Sequence, residues 1–270
     1  MTTKRTGSIV WKVLVSLILL ALLLLVAAEF GVRWMISDNL KKEFASTAPA
    51  AEDPLISFGP TPVLLSQLTG TIPSLDMSMP ASYSVFEGKD GAPVIEGAPA
   101  ADISVKDLNI KDKNNPIAGH LLVNTDIKED YLLAQAQASM AEQAGKTGDS
   151  LASQLLSGLI KVSKIDAIEA EQAVKVEFTD GAASLTLRPT MEGDKVKFTA
   201  EKANVLGMDL PESATTAITQ AFERQATEMS GQLKIEDISV SDEAVHLRFS
   251  GDDVPLSQVE GATQSGTPRS

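Results

Sequence analysis

From Val13 to Ala28 the chain carries only Val, Leu, Ile and Ala apart from Ser16, and no charge stands between Lys12 and Glu29. A run this apolar cannot be left in water, so it is either removed on export or kept in apolar surroundings. Trp11 and Trp34, the only two tryptophans, flank it. At helical rise the stretch between them spans roughly 34 Å, close to the roughly 30 Å of a hydrocarbon core, and tryptophans at both ends fit an aromatic belt. The spacing predicts one N-terminal transmembrane helix, with residues 1–36 as cytoplasmic tail and membrane anchor. The alternative is a cleavable signal, with Lys4 and Arg5 as its basic start and Val26-Ala27-Ala28 as its cleavage site near Ala28, which yields a secreted chain. Both readings export the domain that the rest of the chain forms. Lys4, Arg5 and Lys12 on one side are matched by Arg33, Lys41 and Lys42 on the other. Orientation therefore rests on the ease of retaining a short basic tail, which places the domain on the extracytoplasmic side of the cell membrane.

The rest of the chain is long enough for one domain with a real core. The whole chain's formal charge of −13 repels nucleic acid and anionic lipid surfaces at long range, so no nucleic-acid partner is expected. The sequence has no cysteine, which excludes a disulfide framework and thiol chemistry.

Residues 37–54 read as a stalk helix (Met35, Ile36, Leu40, Phe44) followed by a linker rich in Ala and Pro, and residues 55–257 as the domain. An apolar cluster from Ile56 to Leu68 precedes a strand at Ile72–Met79. Gly88 to Pro99 mark a loop. The alternation Ile103, Val105, then Leu108, Ile110 slips phase, which suggests a bulged strand, and Ile117–Ile127 returns as its neighbour. Asp126 with Glu129 fits a capping box, predicting a helix with Tyr131, Leu132, Leu133, Ala136 and Met140 on its apolar face and Gly145 as C-cap. Leu151–Ile160 fits either a short helix or a strand. Ala173–Phe178 and Ser184–Leu187 around Asp180-Gly181 read as a hairpin, and Lys195–Leu206 continues the meander. Pro211 opens a second helix with Ala214, Ala217, Ile218, Ala221, Phe222 and Met229 on one face and Gly231 at its end. Leu233–Val240 and Ala244–Phe249 form a closing hairpin, and residues 258–270 read as a disordered tail. The expected class is α+β: a curved antiparallel sheet wrapped on two long helices, enclosing a lipid groove.

Two stretches carry a resemblance. One is Phe58-Gly-Pro-Thr-Pro-Val-Leu-Leu-Ser-Gln-Leu-Thr-Gly70; the other is Val205-Leu-Gly-Met-Asp-Leu-Pro211 with the helix after it, Ile235–Val240 and Phe249-Ser-Gly-Asp-Asp-Val254. Between Ile56 and Leu256 the chain resembles the LmeA family of actinobacterial phospholipid-binding proteins. Asp242-Glu243-Ala244 lacks the Gly that an Asp-Asp-Gly turn would carry there. The resemblance implies an exported, membrane-associated protein of the cell envelope or periplasm that binds phospholipid and takes part in envelope lipid or lipoglycan metabolism.

No catalytic constellation is legible. His120 and His246 are the only histidines, there is no Gly-x-Ser-x-Gly, no phosphate-cradling glycine loop and no cofactor motif. Asp252-Asp253 and Asp242-Glu243 are acid pairs of the kind solvated in turns, and no metal site is expected. The expectation is a binding or transfer protein, not an enzyme. Leu64, Leu65, Leu68, Ile72, Leu75, Ile218 and Phe222 are the candidates for lining an acyl-chain groove, at about 0.8 kcal/mol per buried methylene; taken one by one, each fits ordinary core better. Lys111, Lys113, Lys161 and Lys164 are candidates for a phosphate headgroup. The alternative function is an acidic structural or interaction module that supports an envelope enzyme, a possible partner.

Overall fold

In a computed structural model of the chain, residues 6–47, 52–88, 91–112, 114–146, 161–193, 195–213, 215–216, 219 and 233–256 are described. Helix α1 (Thr6–Thr47) leads into β1 (Leu55–Phe58), a 3₁₀ turn at Val63–Leu65 and α2 (Ser66–Thr69), then β2 (Thr71–Met79), β3 (Ser84–Glu87) and β4 (Pro93–Glu96). β5 (Ala100–Asn109), β6 (Ile117–Lys128) and α3 (Glu129–Lys146) are next in the chain. A meander of β7 (Val162–Ile168), β8 (Ala173–Phe178), β9 (Ala183–Glu192), β10 (Lys195–Val205) and β11 (Met208–Asp209) succeeds them, and β12 (Lys234–Ser241) with β13 (Ala244–Pro255) closes the chain.

The strands form a six-stranded sheet in the order β1-β2-β5-β6-β13-β12, a five-stranded sheet β11-β10-β9-β8-β7 and the β3–β4 ribbon, with antiparallel pairing throughout. The meander is an insertion: the chain leaves the larger sheet after β6, builds the smaller one, and returns through β12. The sheets meet where Gln172 uses its side-chain amide like a strand backbone. Its Nε2 donates to the Val240 carbonyl at 2.7 Å and its Oε1 accepts the Val240 N–H at 3.1 Å, satisfying part of the free edge of β12. Glu129 and Gln137 of α3 tie to β7 through the Ala167 N–H (2.5 Å) and the Val162 carbonyl (2.6 Å). Tyr83 ties the ribbon to α3 by donating to Asp130 at 2.6 Å; burial, reinforced by that carboxylate, pushes its phenol up to about 12.

The larger sheet is bent along one line. Pro73, Asp107, Gly119 and Asp253 face one another across β2, β5, β6 and β13, between the paired rows Ser74–Lys106–His120–Asp252 and Ile72–Leu108–Ala118–Val254. Asp107 and Asp253 both sit at φ 52, a conformation that short Asp side chains tolerate better than most. Each left-handed residue turns the pleat over, so Val105 and Leu108 both face inward. Ile72 with Leu75, and Ala118 with Leu121, show the same three-residue spacing, and all six are buried in one core cluster with Phe58, Val63 and Val254. The phase slip expected in β5 is thus real, but its cause is backbone conformation: Asp107 sits opposite one residue on each side, with no residue inserted. Gly119 suits the point where the line crosses β6, because a Cβ there would crowd β5, 3.0 Å from the Asp107 Cβ and 3.1 Å from its carbonyl oxygen.

The structure corrects several expectations. A single curved sheet wrapped on two long helices is not what forms: two separate sheets carry the domain, and the helices after α1 whose bounds are described are the four-residue α2 and the 18-residue α3. Strand alternation dominates because paired strands satisfy their backbone without long helices. The transmembrane helix is also withdrawn, since among the described residues no helix is long and apolar enough to cross a membrane. Val13–Ala28 is helical, yet it is the front of a 42-residue helix whose later turns are charged and docked. The uncharged part is about 16 residues, roughly 24 Å, short of the roughly 20 residues a crossing needs. Asp126 does not cap α3 but lies inside β6, paired across to His246, and Gly145 lies inside α3 and not beyond it. Glu212, Ser213, Thr215, Thr216 and Thr219 are helical as Pro211 implies; the remainder of that segment, including Gly231, and residues 151–160 and 258–270 lie outside the described residues. The closing hairpin forms as expected, with Glu243 taking φ 71 in place of the missing Gly.

Candidate functional site

Residues directly opposite in neighbouring strands share a face. By that rule Ile56, Met77, Ile103, Val123, Phe249 and Ile235 form one row across the full width of the six-stranded sheet. All six are apolar and all six are only half-buried. The next row, Met79, Ala101, Thr125, Leu247 and Ile238, is also half-buried and almost entirely apolar. On either side lie buried residues: the core cluster with Leu75, Val105 and Leu121 at one end, and Val240 and Val245 at the other. The face is therefore an apolar band between two buried margins. A cavity of about 300 Å³ opens at the β1 side of the sheet on the opposite face, where Leu55, Ser57, Asp76, Ser78, Asp102, Ser104 and Asn124 alternate with the band residues Ile56, Met77 and Ile103. That volume is at the low end for ligand sites.

α1 is fixed to this end of the sheet. Val32 and Ile36 pack on the core cluster. The Glu29 carboxylate accepts the N–H groups of Val63 (2.6 Å) and Leu64 (2.8 Å), serving as the cap of the 3₁₀ turn, and accepts from Arg33 at 2.6 Å. Burial alone would raise the Glu29 pKa, but the Leu64 N–H, the Arg33 side chain and the Val63 N–H outweigh it and hold the carboxyl below its ordinary value. Arg33 in turn donates to the carbonyls of Phe58 (3.2 Å), Gly59 (3.0 Å) and Thr61 (3.1 Å), with its guanidinium 5.8 Å from the Phe58 ring centre.

The sequence-based candidates separate. Ile72 and Leu75 are in the buried core, Leu64 is half-buried, and Leu65 and Leu68 are 48% and 86% exposed. Ile218 and Phe222 lie outside the described residues, as does Lys113. Lys164 is paired with Asp166 at 2.5 Å; that hydrogen bond is the main cause of its raised pKa. Lys111 folds its chain over Gly70, and Lys161 is exposed. The residues that sequence reasoning missed are Met77, Ile103, Val123, Phe249 and Ile235. Their alternation was visible within each strand; their alignment depends on pairings such as Val123 with Phe249 that no local pattern encodes.

One cluster has the order of an acid–base relay. His246 Nδ1 faces the Asp126 carboxylate, and its Nε2 lies 2.6 Å from the Ser241 hydroxyl. The three residues belong to β6, β13 and β12, and the side chains of His246 and Asp126 are open to solvent. The contacts tie three strands together, as the 2.8 Å His120–Asp252 pair ties β6 to β13 farther along. Among the described residues no group of three His, Cys, Asp or Glu side chains is placed to hold a metal ion.

An apolar band wide enough to cross six strands suits an acyl chain better than a polar substrate. No curated protein and no solved structure matches the chain. A family profile described as LmeA-like phospholipid-binding matches residues 27–250, and the chain belongs to that family.

Proposed function

We propose that the protein binds phospholipid non-covalently, with acyl chain laid along the half-buried apolar band. It works on the extracytoplasmic side of the cell membrane, binding or transferring lipid for envelope lipid or lipoglycan metabolism. The observation that carries this reading is the row from Ile56 to Ile235, six apolar residues in register with none fully buried. Ten methylenes covered there are worth about 8 kcal/mol before ordering costs, enough to hold a lipid. The exposed side chains of α1, among them Leu19, Leu20, Leu23, Leu24, Leu25 and Val26, support membrane association, since a helix apolar on every side is unstable in water.

Native mass spectrometry of the full chain extracted from bacterial membranes, combined with uptake of a fluorescent phosphatidylcholine, tests the site. The wild type retains lipid. Met77→Asp and Phe249→Asp each put a carboxylate in the band and weaken uptake by about 30-fold or more while the circular dichroism spectrum is unchanged. Absence of co-purifying lipid together with no uptake by the wild type overturns the reading.

A further inference from the structure

From Pro54 to Leu75 the chain carries no charged residue, in a protein of net charge −13. The middle of that stretch is the tight turn formed by Val63–Leu65 and α2. Its interior is fixed: Val63 is 1% exposed, Ser66 is 2% exposed and donates to the Val63 carbonyl at 2.5 Å, and Gly70 closes α2 in the left-handed conformation with its N–H on the Ser66 carbonyl. Its exterior displays two leucines beside the exposed Thr69. Leu68, at 86%, is more exposed than any other large hydrophobic side chain among the described residues, and Leu65 is 48% exposed. A rigid turn that displays leucines loses little conformational entropy when they are covered.

The turn also has a fixed height on α1. Glu29, which holds its first two N–H groups, is the first charged residue after the apolar run, and Leu68 lies about one helical turn beyond Leu64, roughly 6 Å. Val26, Phe30 and Trp34 continue an exposed apolar stripe along α1 past that level, at four-residue spacing. Whatever medium surrounds the apolar part of α1 therefore has its boundary beside the turn.

We propose that the Val63–Thr69 turn is a membrane-interface contact, with Leu65 and Leu68 seated in the headgroup–acyl boundary of a lipid bilayer and Glu29–Arg33 holding them at that depth. This rests on the reading that the apolar part of α1 sits in lipid.

The chain has no cysteine, so Leu68→Cys gives a unique labelling site at an exposed position. The full chain carrying an environment-sensitive fluorophore at residue 68 is reconstituted with phosphatidylcholine vesicles. Emission shifts to the blue and falls to about half in the presence of lipid spin-labelled near the headgroup, as for a side chain buried about 5–10 Å into the interface. The same label at Leu206→Cys, 74% exposed beyond β10, stays water-like. Adding Glu29→Ala reduces quenching at residue 68 while a label at Leu23→Cys stays quenched. A water-like label at residue 68 beside a quenched one at residue 23 overturns the interface contact and leaves the membrane reading standing. Water-like labels at both overturn the two together, and undiminished quenching at residue 68 in the Glu29→Ala background overturns the role of Glu29.

Discussion

Gly119 shows how much of the fold rests on one missing methyl group. It stands between Asp107 and Asp253, both left-handed, and the backbone of β5 passes close to where its side chain would begin. Because the nearest obstacles include the carbonyls of Asp107 (3.1 Å) and Lys106 (3.3 Å), the strain in Gly119→Ala cannot be relieved by rotating a side chain. The substitution is expected to cost about 1–3 kcal/mol, read as a lower urea midpoint at unchanged m-value. An unshifted midpoint would mean the bend is soft. Glu243 is the opposite case: it adopts φ 71 where Gly would be relaxed, and it persists because its carbonyl receives the Glu129 N–H at 3.0 Å at the start of α3.

At the scale of elements, the docking of α1 depends on the charge state of one carboxylate. The pKa of Glu29 is lowered from 4.5, so its contribution is fully present above the ordinary value and is lost as pH falls through the lowered one. Carbon-13 NMR of the Glu29 carboxyl should show a midpoint below 4.5, with the Val63 and Leu64 amide signals moving in the same window. A midpoint at or above 4.5 would mean that Glu29 does not clamp the turn. This contact was not legible in the sequence, where Glu29 reads only as the end of an apolar run; its partners lie 34 and 35 residues away. The strands were largely legible, because alternation and turn residues are local signals: the Asp180-Gly181 hairpin and the closing hairpin are both present. The division into two sheets was not, since nothing in β8 or β9 distinguishes a strand that joins the first sheet from one that starts another. The five lipid-groove candidates that are described divide between core and surface for a related reason. Ile72 and Leu75 have the same apolar alternation as Met77 and Ile103, and only their place along the face, inside the buried cluster or at its margin, separates the two pairs.

For the whole molecule, the feature with the widest reach is the insertion of the meander between β6 and β12. It makes the centre of the larger sheet a pairing of distant parts of the chain; His120 and Asp252, in contact across β6 and β13, are 132 residues apart in sequence. The smaller sheet needs only neighbours, each strand pairing with the next. Loop-closure entropy and contact order therefore dictate an order of events: the meander forms early and the β6–β13 seam last. Pulse-labelling hydrogen exchange during refolding should protect Val174 and Leu185 before Leu121 and Phe249, and simultaneous protection would contradict it. Until the last strands arrive, the apolar band has no complete floor and β6 offers an open edge. A ribosome must thus complete β13 before the proposed lipid-binding band exists, which makes the interval before β13 pairs the moment when this sequence is most exposed to aggregation and most dependent on a chaperone.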